Sequence, residues 1–215
     1  MRNLQIIGLL LAAGYSRRMG VNKLSLTLGS SNIGSHCLRT AIHSMLNHVL
    51  VVKKKEDSLD WIDSRLIEEE GESRWTACTC DNPQLGQAHS LQAGIREAMK
   101  READAVVILL GDQPFLTPER LNELIRTYRK AMEHSRLLDF VAFEYDGLKR
   151  PPVLFSKSVS TKLLELTGDE GARQLIRNDK FSGMTIPCDD ITVFFDIDTK
   201  ADYQKALKEG RRGLL

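Results

Sequence analysis

Short, almost wholly apolar runs alternate along this chain with longer amphipathic stretches, and that alternation restricts the fold more than any other feature. Runs such as "IIGLLLA", "VLVV" and "AVVILL" lack a polar residue at every second position. A strand with one wet face shows that period, so these read as strands covered on both sides. We expect strands over residues 4–12, 48–54, 75–80, 104–111, 139–145, 183–188 and 192–197. Helices are expected over residues 33–46, 59–71, 88–101, 118–133, 157–167 and 201–210. The pattern predicts an α/β fold: a mostly parallel, twisted sheet with helices on both faces. Two helix starts carry chemical marks. Thr117-Pro118-Glu119 offers a cap, a proline at the first helical position and an acid in the first turn. Thr199-x-x-Asp202 resembles a capping box with a shorter acid.

No repeat or Pro/Gly/Ser-rich linker divides the 215 residues, so one domain spanning 1–215 is expected. Thirty Lys and Arg against 29 Asp and Glu leave a net charge of +1, which provides no global field toward nucleic acid or a membrane surface. Any anion site must be local. The apolar run over residues 4–13 is about half the ~20 residues that span a bilayer. Among Cys37, Cys78, Cys80 and Cys188, one C-x-C pair lacks the further ligands a zinc site needs. Reduced thiols in a cytoplasmic protein are the expectation.

In an open parallel sheet, ligands bind beyond the carboxyl ends of the strands, so the residues after each strand matter most. The first strand runs into Leu11-Ala12-Ala13-Gly14, small enough for backbone N–H groups to approach a ligand, followed by the cations Arg17, Arg18 and Lys23. This loop suits a polyphosphate, yet it matches neither G-x4-G-K-[ST] nor G-x-G-x-x-G. The strand over 104–111 ends in Gly111-Asp112-Gln113-Pro114, and a carboxylate there is a natural Mg²⁺ ligand, although Asp112 could instead close an Asx turn. The strand over 192–197 carries Asp196 and Asp198 with the period of two that shares a face; either could complete a metal site or cap the helix after Thr199. Between these, Gly86 and Ser90 open a helix whose N-terminus suits a base and ribose.

Taken together, "LLAAGYSRRMGVNKL", "GQAHSLQAGI", "LLGDQPFLT", "PPVLFS", "GDEGAR" and "FFDIDTKADY" resemble the molybdenum cofactor nucleotidyltransferase family, closest to its cytidylyltransferase branch and to xanthine dehydrogenase accessory proteins. The resemblance covers nearly the whole chain in family order. It implies a Rossmann-like nucleotidyltransferase fold and the reaction of CTP with a molybdopterin-type cofactor, giving the cytosine dinucleotide cofactor and pyrophosphate. By the same resemblance Leu11, Ala12, Ala13 and Gly14 line the nucleotide, Arg18 and Lys23 meet its phosphates, and Gly86 and Ser90 face base and ribose. Asp112 and Asp198 then hold Mg²⁺, and Arg173 meets the acceptor. Leu-Ala-Ala-Gly marks CTP users in this family, Leu-Ala-Gly-Gly GTP users. One departure is Arg150-Pro151-Pro152, where relatives often have Gly-His-Pro.

Three rival readings share parts of this pattern. One is a guanylyltransferase using GTP; another is a cytidylyltransferase acting on a sugar or polyol phosphate, since the nucleotide half of the fold is widely shared. The third is a carrier that holds the pterin for a molybdoenzyme without turnover. A carrier has no use for a triphosphate loop facing acids.

Overall fold

The computed structural model describes residues 4–169 and 171–210. The strands are β1 (Ile6–Leu11), β2 (Thr27–Leu28), β3 (Ser31–Asn32), β4 (His48–Lys54), β5 (Trp75–Cys80), β6 (Ala105–Leu110), β7 (Phe140–Tyr145), β8 (Leu148–Ser156) and β9 (Gly183–Pro187). The helices are α1 (Ile33–Ile42), α2 (Gly71–Arg74), α3 (Gln87–Lys100), α4 (Pro118–Glu133), α5 (Ser160–Leu164), α6 (Arg173–Arg177) and α7 (Lys200–Glu209). Among the described residues seven strands form one sheet in the order β5-β4-β1-β6-β8-β7-β9, while β2 and β3 pair separately as a short hairpin. β5, β4, β1 and β6 are mutually parallel, and β8 alone runs against its neighbours. Four carboxyl ends therefore lie side by side along one edge.

Alternate strand residues feed two cores. Leu10, Val51, Leu109 and Phe143 pack with α1 and α4; Leu9, Leu50, Ile108 and Phe155 pack with α3, α5 and α6. Helices thus cover both faces, as the unbroken apolar runs require. The predicted caps form: Thr117 Oγ1 accepts from the Arg120 N–H, and Thr199 and Asp202 accept reciprocally from each other's backbone.

Three expectations need correction. The run over 192–197 is no strand; Ile191–Phe194 forms a 3-10 turn capped by Asp190. Its rings find partners without a ladder, Phe194 on Phe143 with centroids 5.9 Å apart and Phe195 on Phe115 at 6.1 Å. The helix expected over 59–71 lacks its first turn, residues 59–63, and extends to 74. Asp57 and Asp63 accept from the N–H groups of Leu59 and Arg65, closing Asx-type turns, and Trp61 is drawn under α1, where a Cβ on Gly34 would lie 2.4 Å from its ring. Helical winding begins at Ser64 and runs through the π turn Leu66–Glu70 into α2. Third, the helix expected over 157–167 is a 3-10 turn, Lys157–Val159, followed by the short α5.

β8 was not among the strands expected from the apolar runs, its Pro151-Pro152 pair being a poor fit to a ladder. Its register on β7 jumps from Val153–Ala142 to Arg150–Phe143, so the two prolines fall in a bulge where no ladder donor is needed.

Candidate active site

The loop after β1 is held from below. Ala12 donates its N–H to Val52 O at 2.8 Å, Ala12 and Ala13 are buried, and Met19 anchors the far end in the interior. Gly20, at φ +75°, turns the chain back, and nothing lies within 4 Å of where a Cβ on Gly14 would stand. Backbone at Gly14 is thus open to a ligand. The Lys23 N–H donates to Ser16 Oγ at 3.2 Å, and Asn22 caps the short turn Lys23–Ser25, which fixes the base of the lysine stem.

Lys23 ties the first loop to two acids. Its Nζ donates to Asp112 Oδ2 at 2.5 Å and to Asp198 Oδ1 at 2.7 Å. Burial works against the ammonium charge, but the two carboxylates outweigh it and raise the Lys23 pKa above its ordinary value. Arg18 stands outside, 76% exposed, with Nη1 3.7 Å from Asp198 Oδ2. Arg17 lies over the Tyr15 ring, 5.7 Å from its centroid. The two acid-bearing exits are joined beneath: Ile197 N–H donates to Asp112 O at 3.0 Å, and the Gln113 amide donates to Asp196 Oδ1 at 2.7 Å. Asp112 therefore closes no Asx turn. Among the described residues the α7 terminus is capped by Thr199 and Asp202, not by Asp196 or Asp198.

Burial pushes the Asp196 carboxyl up to about 6, reinforced by the charge of Asp112 and opposed by the Gln113 hydrogen bond. The folded chain therefore holds this proton at pH values where the unfolded chain has released it. Stability from this group is present below about pH 4 and is lost as pH rises through 6. Asp196→Asn keeps the acceptor for Gln113 and removes the charge. We expect it to raise the Tm clearly at pH 8, by less at pH 5, where the penalty is only partly present, and hardly at all at pH 3; an equal gain at all three values in calorimetry contradicts the assignment.

The α3 terminus is partly bonded within the chain. Two of its free N–H groups are occupied: Gln87 N–H by Asp169 Oδ1 at 3.2 Å and Ala88 N–H by Gly168 O at 3.1 Å. Gly86, at φ +113°, permits this approach, because a Cβ there would lie 2.6 Å from Gly168 O. The predicted "GDEGAR" segment is thus a clasp on the helix start, with Glu170 outside the described residues.

A cleft of about 480 Å³ opens over these strand ends. Leu11, Ala12, Ala13, Gly14, Arg18, Lys23, Gly86, Ser90, Asp112, Arg173 and Asp198 all line it, so the structure brings every predicted site residue to one place. Ser90 is buried in its wall, with Oγ 3.8 Å from Cys80 Sγ. Sequence reasoning gave no role to Gln87, Gln113 or Asp169. Gln113, 2% exposed, sat in a quoted motif, but nothing in the sequence showed its amide turning to another strand exit.

The acids fit a divalent ion. Asp112 Oδ1 is buried without a hydrogen-bond partner, and Asp112 and Asp198 already share one cation. Among the described residues no group of three or more Asp, Glu, His or Cys is placed to hold a metal. A site with so few protein ligands suits Mg²⁺, which takes one or two carboxylates and fills its shell with water and substrate phosphates.

Parallel strand ends that gather cations and acids around one cleft, on a sheet with one reversed strand, have the architecture of the Rossmann-like nucleotidyltransferase fold. The chain belongs to the MobA-like NTP transferase domain family, whose description matches residues 8–183. It is 40% identical over 205 residues to the purine catabolism protein PucB of Bacillus subtilis (strain 168), covering 94% of this chain and 96% of that one. Among solved structures, a homologue of Mycobacterium tuberculosis Rv0371c from Mycobacterium sp. strain JC1 superposes with a TM-score of 0.72 at 26% identity, covering 97% of this chain and 98% of that one. Molybdopterin-guanine dinucleotide biosynthesis protein A from Archaeoglobus fulgidus gives 0.66 at 17% identity, covering 96% and 99%. No described helix is long and apolar enough to cross a membrane.

Proposed function

We propose that this nucleotidyltransferase transfers CMP from CTP to the phosphate of a molybdopterin-type cofactor. An oxygen of the acceptor phosphate attacks the α-phosphorus, the new P–O bond forms in line, and the bond to the β-phosphate breaks with its electron pair leaving on pyrophosphate. The nucleophile is already anionic near neutral pH, so the chain need supply no general base; its work is orientation and charge stabilisation. The backbone of Ala12, Ala13 and Gly14 lines the nucleotide. Lys23 and Arg18 stabilise negative charge on the α-phosphate and on the departing pyrophosphate. Gly86 and Ser90 face the base and ribose, and Arg173 meets the acceptor phosphate. Asp112 and Asp198 would hold Mg²⁺, which when bound neutralises the charge on phosphate oxygens.

The observation that carries this reading is Lys23 held against both Asp112 and Asp198 within a cleft walled by the Leu11–Gly14 loop. The Leu-Ala-Ala-Gly sequence favours CTP, and a PucB-like relative of purine catabolism fits a xanthine dehydrogenase-type recipient. A cytoplasmic location and one domain over 1–215 suit a chain whose four cysteines are free thiols. The test is pyrophosphate release from radiolabelled CTP with Mg²⁺ and metal-loaded molybdopterin, run beside GTP and beside sugar and polyol phosphates. We expect CTP with the pterin to give the highest kcat/KM. Faster release with GTP assigns a guanylyltransferase; faster release with a sugar or polyol phosphate assigns a different acceptor; no release alongside tight pterin binding assigns a carrier.

A further inference from the structure

The Lys23 ammonium stands between one oxygen of Asp112 and one of Asp198, at 2.5 Å and 2.7 Å. An ion that takes these same two oxygens has to occupy that place, and one bound through the other oxygens of the pair still lies within a few ångströms of the ammonium. The two cations cannot both stay, because their repulsion at such separations is large wherever water is scarce, and Lys23 and Asp112 are only 13% and 18% exposed. We propose that Lys23 competes with the divalent ion for Asp112 and Asp198, and that a triphosphate in the cleft relieves the competition by giving the ammonium other oxygens to bind. This rests on the nucleotide reading of the cleft.

The construction of the loop favours such an exchange. The Lys23 backbone is held by Ser16 and by the Asn22 cap, so only the four-carbon stem needs to swing. Both carboxylates keep their anchorage during the swing: the backbone of Asp112 is tied to Ile197, and Asp198 precedes the Thr199–Asp202 box. Arg18 is no substitute, since it is largely exposed and 3.7 Å from Asp198 alone. The consequence is coupling: metal binds weakly by itself and tightly with a triphosphate, and by linkage the triphosphate binds more tightly with metal. The site then loads the metal–nucleotide complex in preference to either part.

The test needs no turnover. Mn²⁺ binding is measured by electron paramagnetic resonance on nucleotide-free protein and on Lys23→Met, which keeps the stem and removes the charge. We expect the variant to bind Mn²⁺ at least about tenfold more tightly, within the usual range of coupling between sites. Equal or weaker binding by a folded variant overturns the proposal. If Lys23→Met fails to fold, the wild-type protein answers through the ¹⁵N-labelled Lys23 ammonium signal. That signal should stay put with millimolar Mg²⁺ alone and move when sodium tripolyphosphate is added with Mg²⁺; movement with Mg²⁺ alone, or none with both, overturns it. Failure here leaves CMP transfer standing, whereas absence of transfer in the radiolabel assay leaves the metal competition intact for another triphosphate.

Discussion

Asp112→Asn lowers CTP-dependent pyrophosphate release by roughly 10²–10³-fold or more at saturating Mg²⁺, the scale expected when a preorganised charge contact at the reacting phosphates is removed. The substitution is chosen to leave the fold alone. Asp112 holds Ile197 through its backbone carbonyl, which Asn retains, and the side-chain volume is nearly unchanged. What disappears is the negative charge that faces Lys23 and offers a buried, unpartnered oxygen. Lys23 then keeps Asp198 as its remaining carboxylate partner in the cluster, and that acid is 48% exposed. A fluorescence melting curve close to wild type, with release collapsed, is the expected pair of results. Undiminished release excludes Asp112 from the chemistry.

The second large effect is on stability. Phe143→Ala should cost about 3–5 kcal/mol and lower the Tm by roughly 6–20 °C, since its ring is fully enclosed and a cavity remains when it is cut back. Phe143 sits on β7 and packs on Phe194, the last residue of the 3-10 turn two positions before Asp196. Losing that ring loosens the segment that delivers Asp196 and Asp198 to the cleft. Activity should therefore fall at temperatures where the variant is still folded. A Tm within 2 °C of wild type, on the same scale of about 2–4 °C per kcal/mol, contradicts this account of the core.

β1, β4, β6 and β7 were legible because burial on two sides leaves a continuous apolar run, and the edge strands β5 and β9, with one buried residue each, also appear where they are predicted. β8 was missed because its pairing tolerates a bulge of two prolines that sequence rules read as a break. The run over 192–197 misled in the opposite way, its β-branched and aromatic residues serving ring packing instead of a ladder. At the site, the loop over residues 11–23 and Asp112 announced themselves by type and by following a strand, Asp198 by following a run that forms no strand, Gly86 and Ser90 by opening a helix, and Arg173 only through the family resemblance. Their mutual geometry did not: that Lys23 reaches over 89 positions to Asp112 and over 175 to Asp198 is a property of strand order, with β6 laid beside β1. The Gln113–Asp196 bond and the Asp169 clasp on α3 are likewise contacts between distant segments, with no local signature to read.

The most direct measurement is a crystal structure of the protein with CTP and Mn²⁺, with the metal located by anomalous scattering. We predict one peak at about 2.1 Å from carboxylate oxygens of Asp112 and Asp198, with the triphosphate along residues 12–23 and the Lys23 ammonium on phosphate. A nucleotide bound elsewhere, or manganese seated away from both aspartates, contradicts the account.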